Sequence, residues 1–192
     1  MIVVATPTRG QIEARTATDL AYLLRLSPDA EWICAMGSLI QNNRTMLVHT
    51  AAQMGGSHIL FVDSDMRVPP DALERLRGHG KDIVGSNYRQ RERDLWTANK
   101  DKEFVSSEGR NGLEEVDSIG FGLVLIDMQV FTDETKSVPP YAFATPFNAE
   151  EGIFFGEDVY FCQCARSMGY QVVVDHDLSQ DVKHIGNREL GI

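Results

Sequence analysis

Between Ile2 and Ser86 the chain alternates four short apolar runs with three amphipathic stretches, and that alternation leaves few folds open. Ile2-Val3-Val4-Ala5, Trp32-Ile33-Cys34-Ala35-Met36, Ile59-Leu60-Phe61-Val62 and Asp82-Ile83-Val84-Gly85-Ser86 have strand character. Between them, residues 11–26 place Ile12, Leu20, Leu23 and Leu24 at helical spacing, and residues 41–54 do the same with Leu47, Ala51 and Met54. A third helix is expected with Pro70 in its first turn, Leu73 and Leu76 inward, and Gly78 at its end. Pro7 and Gly10 predict a turn over Thr6–Gly10 that ends the first strand. The run Ile59–Val62 lacks polar alternation, as expected of a strand covered on both faces. The predicted architecture is an α/β domain with a mostly parallel sheet, right-handed crossovers and helices on both faces.

The regular pattern stops at Asn87. Trp96-Thr97-Ala98 and Phe104-Val105 read as a small antiparallel addition, and Leu123-Val124-Leu125-Ile126 as a further apolar run. Residues 132–156 read as one long loop, of a length that is often functional. A helix over 157–168 and a strand at Val172-Val173-Val174-Asp175 precede the tail. The expectation is one domain over 1–192, with a first half to residue 86 and a second half from 87.

Charge limits the partners. The net charge is −10, and residues 111–192 carry 14 acidic against 4 basic side chains. Such a surface repels nucleic acid and anionic membranes. Arg89, Arg91 and Arg93 alone offer a local anion site, or else a solvated loop. No apolar run reaches the ~20 residues of a membrane span, and the N-terminus lacks the basic start of a signal peptide. Cys34, Cys162 and Cys164 are odd in number and sparse, which suggests a reducing compartment and a cytoplasmic location, and Cys162 and Cys164 read as packed thiols.

The run Ile59–Val62 leads straight into Asp63-Ser64-Asp65. Side chains two apart on an extended backbone point the same way, so both carboxylates can face one object. Open α/β sheets bind ligands at such strand ends. Like charges so placed repel unless a cation lies between them, and hard oxygen ligands suit Mg²⁺ or Mn²⁺ with phosphate oxygens completing the shell. An Asx-type turn is the competing reading. Glu157-Asp158 admits two readings as well: acids favoured by a helix dipole, or a base and acceptor anchor.

Together, Thr6-Pro7-Thr8-Arg9, Asn43-Arg44, Asp63-Ser64-Asp65, Ser118-Ile119-Gly120-Phe121-Gly122, Gly156-Glu157-Asp158 and Lys183-His184-Ile185-Gly186 resemble the motif series of GT-A glycosyltransferases, especially family 2-like enzymes. The resemblance spans residues 3–186 and implies a Rossmann-like GT-A domain that transfers a sugar from a nucleotide-diphospho-sugar to a hydroxyl acceptor. It implies Mn²⁺ or Mg²⁺ held by Asp65 and His184, with Asp63 on the metal or the ribose and Ser64 beside it. Thr6, Pro7, Thr8, Arg9 and Arg44 would serve the nucleotide, a uridine diphosphate sugar first and a guanosine one second. Gly120, Phe121 and Gly122 would shape the sugar side, and Asp158, or else Glu157, would be the base that an inverting transfer needs and a retaining one does not. Because the chain ends soon after His184, the acceptor platform is expected from loops 87–115 and 132–156, with Tyr88, Arg89, Trp96, Tyr141, Phe143 and Phe147, or from a second subunit of a homo-oligomer. Two other readings stand beside it: a sugar-1-phosphate nucleotidyltransferase, weakened by a single glycine and no lysine in Thr8-Arg9-Gly10, and a non-catalytic nucleotide- or carbohydrate-binding module.

Overall fold

The computed structural model describes residues 1–90, 95–139, 142–150 and 152–186. Arg91, Arg93, Pro140 and Tyr141, expected in loops, lie outside the described residues. The first half runs β1 (Ile2–Thr8), α1 (Ala14–Leu26), β2 (Ala30–Met36), α2 (Ile40–Gln53), β3 (His58–Val62), β4 (Met66–Arg67), α3 (Ala72–Gly78) and β5 (Ile83–Gly85). The second continues through β6 (Asn99–Lys100), β7 (Glu103–Phe104), β8 (Leu113–Val116), β9 (Leu123–Asp127), α4 (Gln129–Thr132), β10 (Phe147–Asn148) and β11 (Ile153–Phe154). It closes with α5 (Glu157–Ser167), β12 (Val172–Asp175), α6 (His176–Ser179) and β13 (Lys183–His184).

Seven strands form one mixed sheet in the order β2-β1-β3-β9-β5-β12-β8. β1 pairs in parallel with β2 and β3, and β5 with β12, whereas β9 runs antiparallel between β3 and β5 and β8 runs antiparallel at the edge. The two-residue period of the strands builds two cores. Val3, Ala5, Ile59, Phe61, Val124 and Ile126 pack against Leu47 and Ala51 of α2 and Phe161 of α5. Ile2, Val4, Leu60, Val62, Leu123 and Leu125 pack on the other face, against Leu20 and Leu23 of α1 and Leu73 and Leu76 of α3. Each such apolar side chain contributes roughly 1.5–3 kcal/mol by leaving water, so the alternation holds the register.

Several expected boundaries are corrected. β1 does not turn at Thr6 but continues through Pro7 to Thr8, paired with β2 as far as Met36. The missing N–H of Pro7 is tolerated because β3 pairs with β1 only up to Ala5, so Pro7 lies beyond the two-sided part of the sheet. The third helix starts at Ala72, two residues after Pro70. The small hairpin forms at β6 and β7 rather than at 96–98 and 104–105, because Asp101 and Lys102 both adopt positive φ in a tight two-residue turn. The stretch 132–156 contains the short β10–β11 hairpin. Among the described residues, no helix is long and apolar enough to cross a membrane.

Candidate functional site

A crevice of about 740 Å³ opens at the carboxyl ends of β1 and β3, where the chain first crosses to β2 and then back past β1. Such a switch point is where open α/β sheets place ligands. Pro7, Thr8 and Arg9 line one wall, and Asp63, Ser64 and Asp65 line another. Local hydrogen bonds fix both. Thr8 Oγ1 donates to the Gln11 carbonyl at 2.6 Å, and the Glu13 N–H donates to the Ser64 carbonyl at 2.9 Å. Asn43, buried on α2, donates to the Thr8 and Gly37 carbonyls at 3.1 and 3.0 Å. Thr6 lies behind this wall, fully buried, with its hydroxyl accepting from Trp32 Nε1 at 3.0 Å.

Beneath the crevice lies Arg44, only 2% exposed, on α2. Its Nη2 donates to Asp63 Oδ1 at 2.9 Å and its Nε to Glu157 Oε1 at 3.1 Å. The guanidinium carbon sits 5.2 Å from the ring centre of Phe61 and 5.4 Å from that of Phe121, so the cation rests on an aromatic floor. Burial disfavours the charge, but Asp63, Glu157 and Asp158 together outweigh burial and hold its pKa above the ordinary value. Asp63 is pushed upward by burial, then pulled down by Arg44, and raised again by the charges of Asp65 and Glu157. Among the described residues, Arg44 Nη1 finds no hydrogen-bond partner.

Asp65 faces His184. Their side chains approach to 3.2 Å, Oδ2 to Nε2, because β13 pairs antiparallel with β4 and sets His184 opposite Met66. The Ile185 N–H to Asp65 carbonyl bond, 2.8 Å, locks the tail there. His184 Nδ1 is buried without a partner among the described residues. Among those residues no group of three or more His, Cys, Asp or Glu side chains is assembled for a metal. The carboxylate oxygen suits Mg²⁺ or Mn²⁺ with phosphate and water completing the shell, and the imidazole nitrogen fits Mn²⁺, the less hard of the two, better than Mg²⁺. Asp63, with one oxygen given to Arg44, has its other oxygen for the metal or ribose role expected of it.

Gly120 and Gly122 allow a close approach, but the group that approaches is Tyr88. The Gly122 N–H donates to Tyr88 Oη at 2.7 Å, and the Tyr88 ring stands edge-on to His184 with centroids 5.6 Å apart. A Cβ on Gly122 would fall 2.5 Å from Tyr88 Oη and 2.8 Å from Met66 Sδ. Gly122→Ala is therefore expected to displace Tyr88 at a cost of about 1–3 kcal/mol, lowering Tm by several degrees in thermal denaturation. Phe121 is buried in a cluster with Phe61, Phe143 and Phe161, the ring centroids of Phe121 and Phe161 lying 5.1 Å apart. Phe143 belongs to that core, 4% exposed, and this corrects its expected place on an acceptor platform. Phe147 is exposed instead, paired with Phe154 at 5.0 Å across the β10–β11 hairpin.

The first turn of α5 separates its two acids. Glu157 is committed to Arg44. Asp158 is half-buried, and its Oδ1 accepts from the adjacent Val159 N–H at 2.8 Å. Burial and then the charge of Glu157 raise its carboxyl to about 6, with the Val159 N–H and Arg44 opposing. A carboxyl so poised is half-ionised at about pH 6 and mostly ionised at neutral pH.

Sequence reading missed Gln11, Glu13, Gly37 and Ile40, all of which line the crevice. Their positions just beyond the ends of β1 and β2 were the available signal.

No family model and no curated protein matches the chain. Among solved structures it is similar to the crystal structure of A197 from STIV, with 16% identity and a TM-score of 0.61 over 100% of this chain and 96% of that one. It is also similar, with 13% identity and a TM-score of 0.46, to 4-diphosphocytidyl-2C-methyl-D-erythritol synthase, over 90% and 87% of the two chains. A glycosyltransferase involved in the glycosylation of the major capsid of PBCV-1 is similar with 12% identity and a TM-score of 0.39, over 68% and 62%. The likeness to A197 is one of fold, and it extends over the whole chain.

Proposed function

We propose that this protein is a metal-dependent glycosyltransferase that moves a sugar from a nucleotide-diphospho-sugar to an acceptor hydroxyl. The observation that carries the reading is the Asp65–His184 pair, 3.2 Å apart, at the acidic wall of a nucleotide-sized crevice. The crevice volume of about 740 Å³ falls within the range of small-molecule sites. Pro7, Thr8 and Arg9 would hold the base and ribose, and Asp65 and His184 would hold Mn²⁺ or Mg²⁺. The ion, when bound, supplies Lewis-acid stabilisation of charge on the departing diphosphate. In an inverting transfer the acceptor oxygen bonds to the anomeric carbon as the carbon–phosphate-oxygen bond breaks, and Asp158 takes the hydroxyl proton. Arg44 holds Asp63 and Glu157 in place by ion pairing rather than by touching the reacting atoms.

A thermal-shift titration with uridine and guanosine diphosphates, with and without Mn²⁺, tests the reading, because a ligand of the folded state raises Tm. The expected result is a metal-dependent rise that is lost in Asp65→Ala and in His184→Ala, although both variants stay folded. Transfer or hydrolysis of the matching nucleotide-sugar should disappear with it. Full activity in both variants would sink the metal assignment. Release of pyrophosphate from a nucleoside triphosphate would instead identify a nucleotidyltransferase.

A further inference from the structure

A second pocket, of about 480 Å³, lies on the other side of His184. Tyr88, Arg89 and Trp96 form one side, and Gln180, Lys183 and His184 form the other. Its charge is opposite to that of the first crevice. Arg89 and Lys183 both line it and no Asp or Glu does among the described residues, whereas Glu13, Asp63 and Asp65 line the other. In a chain of net charge −10, a pocket whose described lining carries two cations among neutral and aromatic side chains favours an anion. The Arg89 guanidinium carbon lies 4.7 Å from the Trp96 ring centre, which holds the arginine beside a half-buried aromatic face. Glu108, itself 78% exposed, pairs with Arg89 at 3.3 Å from outside the pocket, where solvent screens the pair. The volume suits a monosaccharide-sized ligand. The position is the decisive part: His184 touches Asp65 of the first crevice and also lines the second.

We infer that this pocket binds the acceptor, and that the acceptor is a small sugar carrying an oxyanion, a phosphate or a carboxylate. Arg89 and Lys183 pair with the oxyanion, and Trp96 packs against the ring. The identification as acceptor rests on the transferase reading above; the anion site itself does not.

The test uses isothermal titration of the full chain with glucose 6-phosphate, glucuronate, glucose and inorganic phosphate, in chelator and without nucleotide. At least one of the two anionic sugars should bind and glucose should not; which one binds separates phosphate from carboxylate. Lys183→Gln and Arg89→Gln, both exposed positions, should each weaken that binding about tenfold, the effect of losing one charge-assisted hydrogen bond. Lys81→Gln, an equal charge change at an exposed site outside the pocket, should leave it unchanged. No binding by either anionic sugar, or equal binding by the wild type and both pocket variants, overturns the site. Equal affinity for inorganic phosphate and the sugar overturns the assignment to a sugar. Uridine diphosphate with Mn²⁺, titrated separately, should bind all variants alike. If no nucleotide binds while the anionic sugar does, the transferase reading and the acceptor role fall and the anion pocket stands.

Discussion

Arg44→Ala should lower stability by about 3–5 kcal/mol, the loss expected when one partner is removed from a buried ion pair. For a chain of this size that is a fall in Tm on the order of 10 °C, measurable by circular dichroism. The physical reason is what remains. Asp63 and Glu157 each lose a charged donor, at 2.9 and 3.1 Å, and the space left beneath them is walled by Phe61 and Phe121. Two carboxylates are then left beside an apolar floor with no cation between them. Arg44→Lys should recover only part of the loss, since a single ammonium cannot reproduce the planar fork that meets both acids. A Tm within about 2 °C of wild type for the alanine variant, under 1 kcal/mol at this size, would falsify the clamp. The consequence for function is indirect: the residue that anchors Asp63 at the crevice also anchors Glu157, next to Asp158.

Asp158→Asn should reduce transfer by about 10²–10⁴-fold, the range for losing a positioned general base, with the fold retained. Two pH profiles add to the test. Transfer by the wild type should rise as pH passes through about 6, where the Asp158 carboxyl ionises. Stability should move the opposite way. The folded-state value, about 6, lies above the ordinary 3.8, so between the two the folded protein binds more protons than the unfolded chain. The contribution of Asp158 to stability is therefore complete below about pH 4 and lost as pH rises through about 6. Tm measured against pH should show that decline in the wild type and a flatter profile in Asp158→Asn. An unchanged rate and an unchanged profile in the variant would leave Asp158 with no role in proton transfer.

The sequence by itself determined the elements with strong periodicity. The β–α alternation through Ser86 was legible because each apolar run is bounded by glycine, proline or an aspartate pair, and because burial on both faces demands continuous apolar strands. The candidate residues at the ends of β1 and β3 were legible for the same reason: a strand of known direction points its carboxyl end at a known side of the sheet. His184 was legible only through its place in an ordered series of motifs.

Tertiary structure alone decided how those residues meet. The antiparallel insertion of β9 between β3 and β5 could not be read from Leu123–Ile126, since an apolar run carries no direction. Arg44 was expected beside the nucleotide, and its burial between Asp63 and Glu157 depends on contacts with residues far along the chain. Phe143 and Phe147 have the same side chain four residues apart, yet one closes the core and the other is exposed on a hairpin. Local chemistry sets what a strand or helix can bury. Which acids receive the arginine, which carboxyl burial raises, and which cations line a pocket are set by packing between segments that the sequence holds far apart.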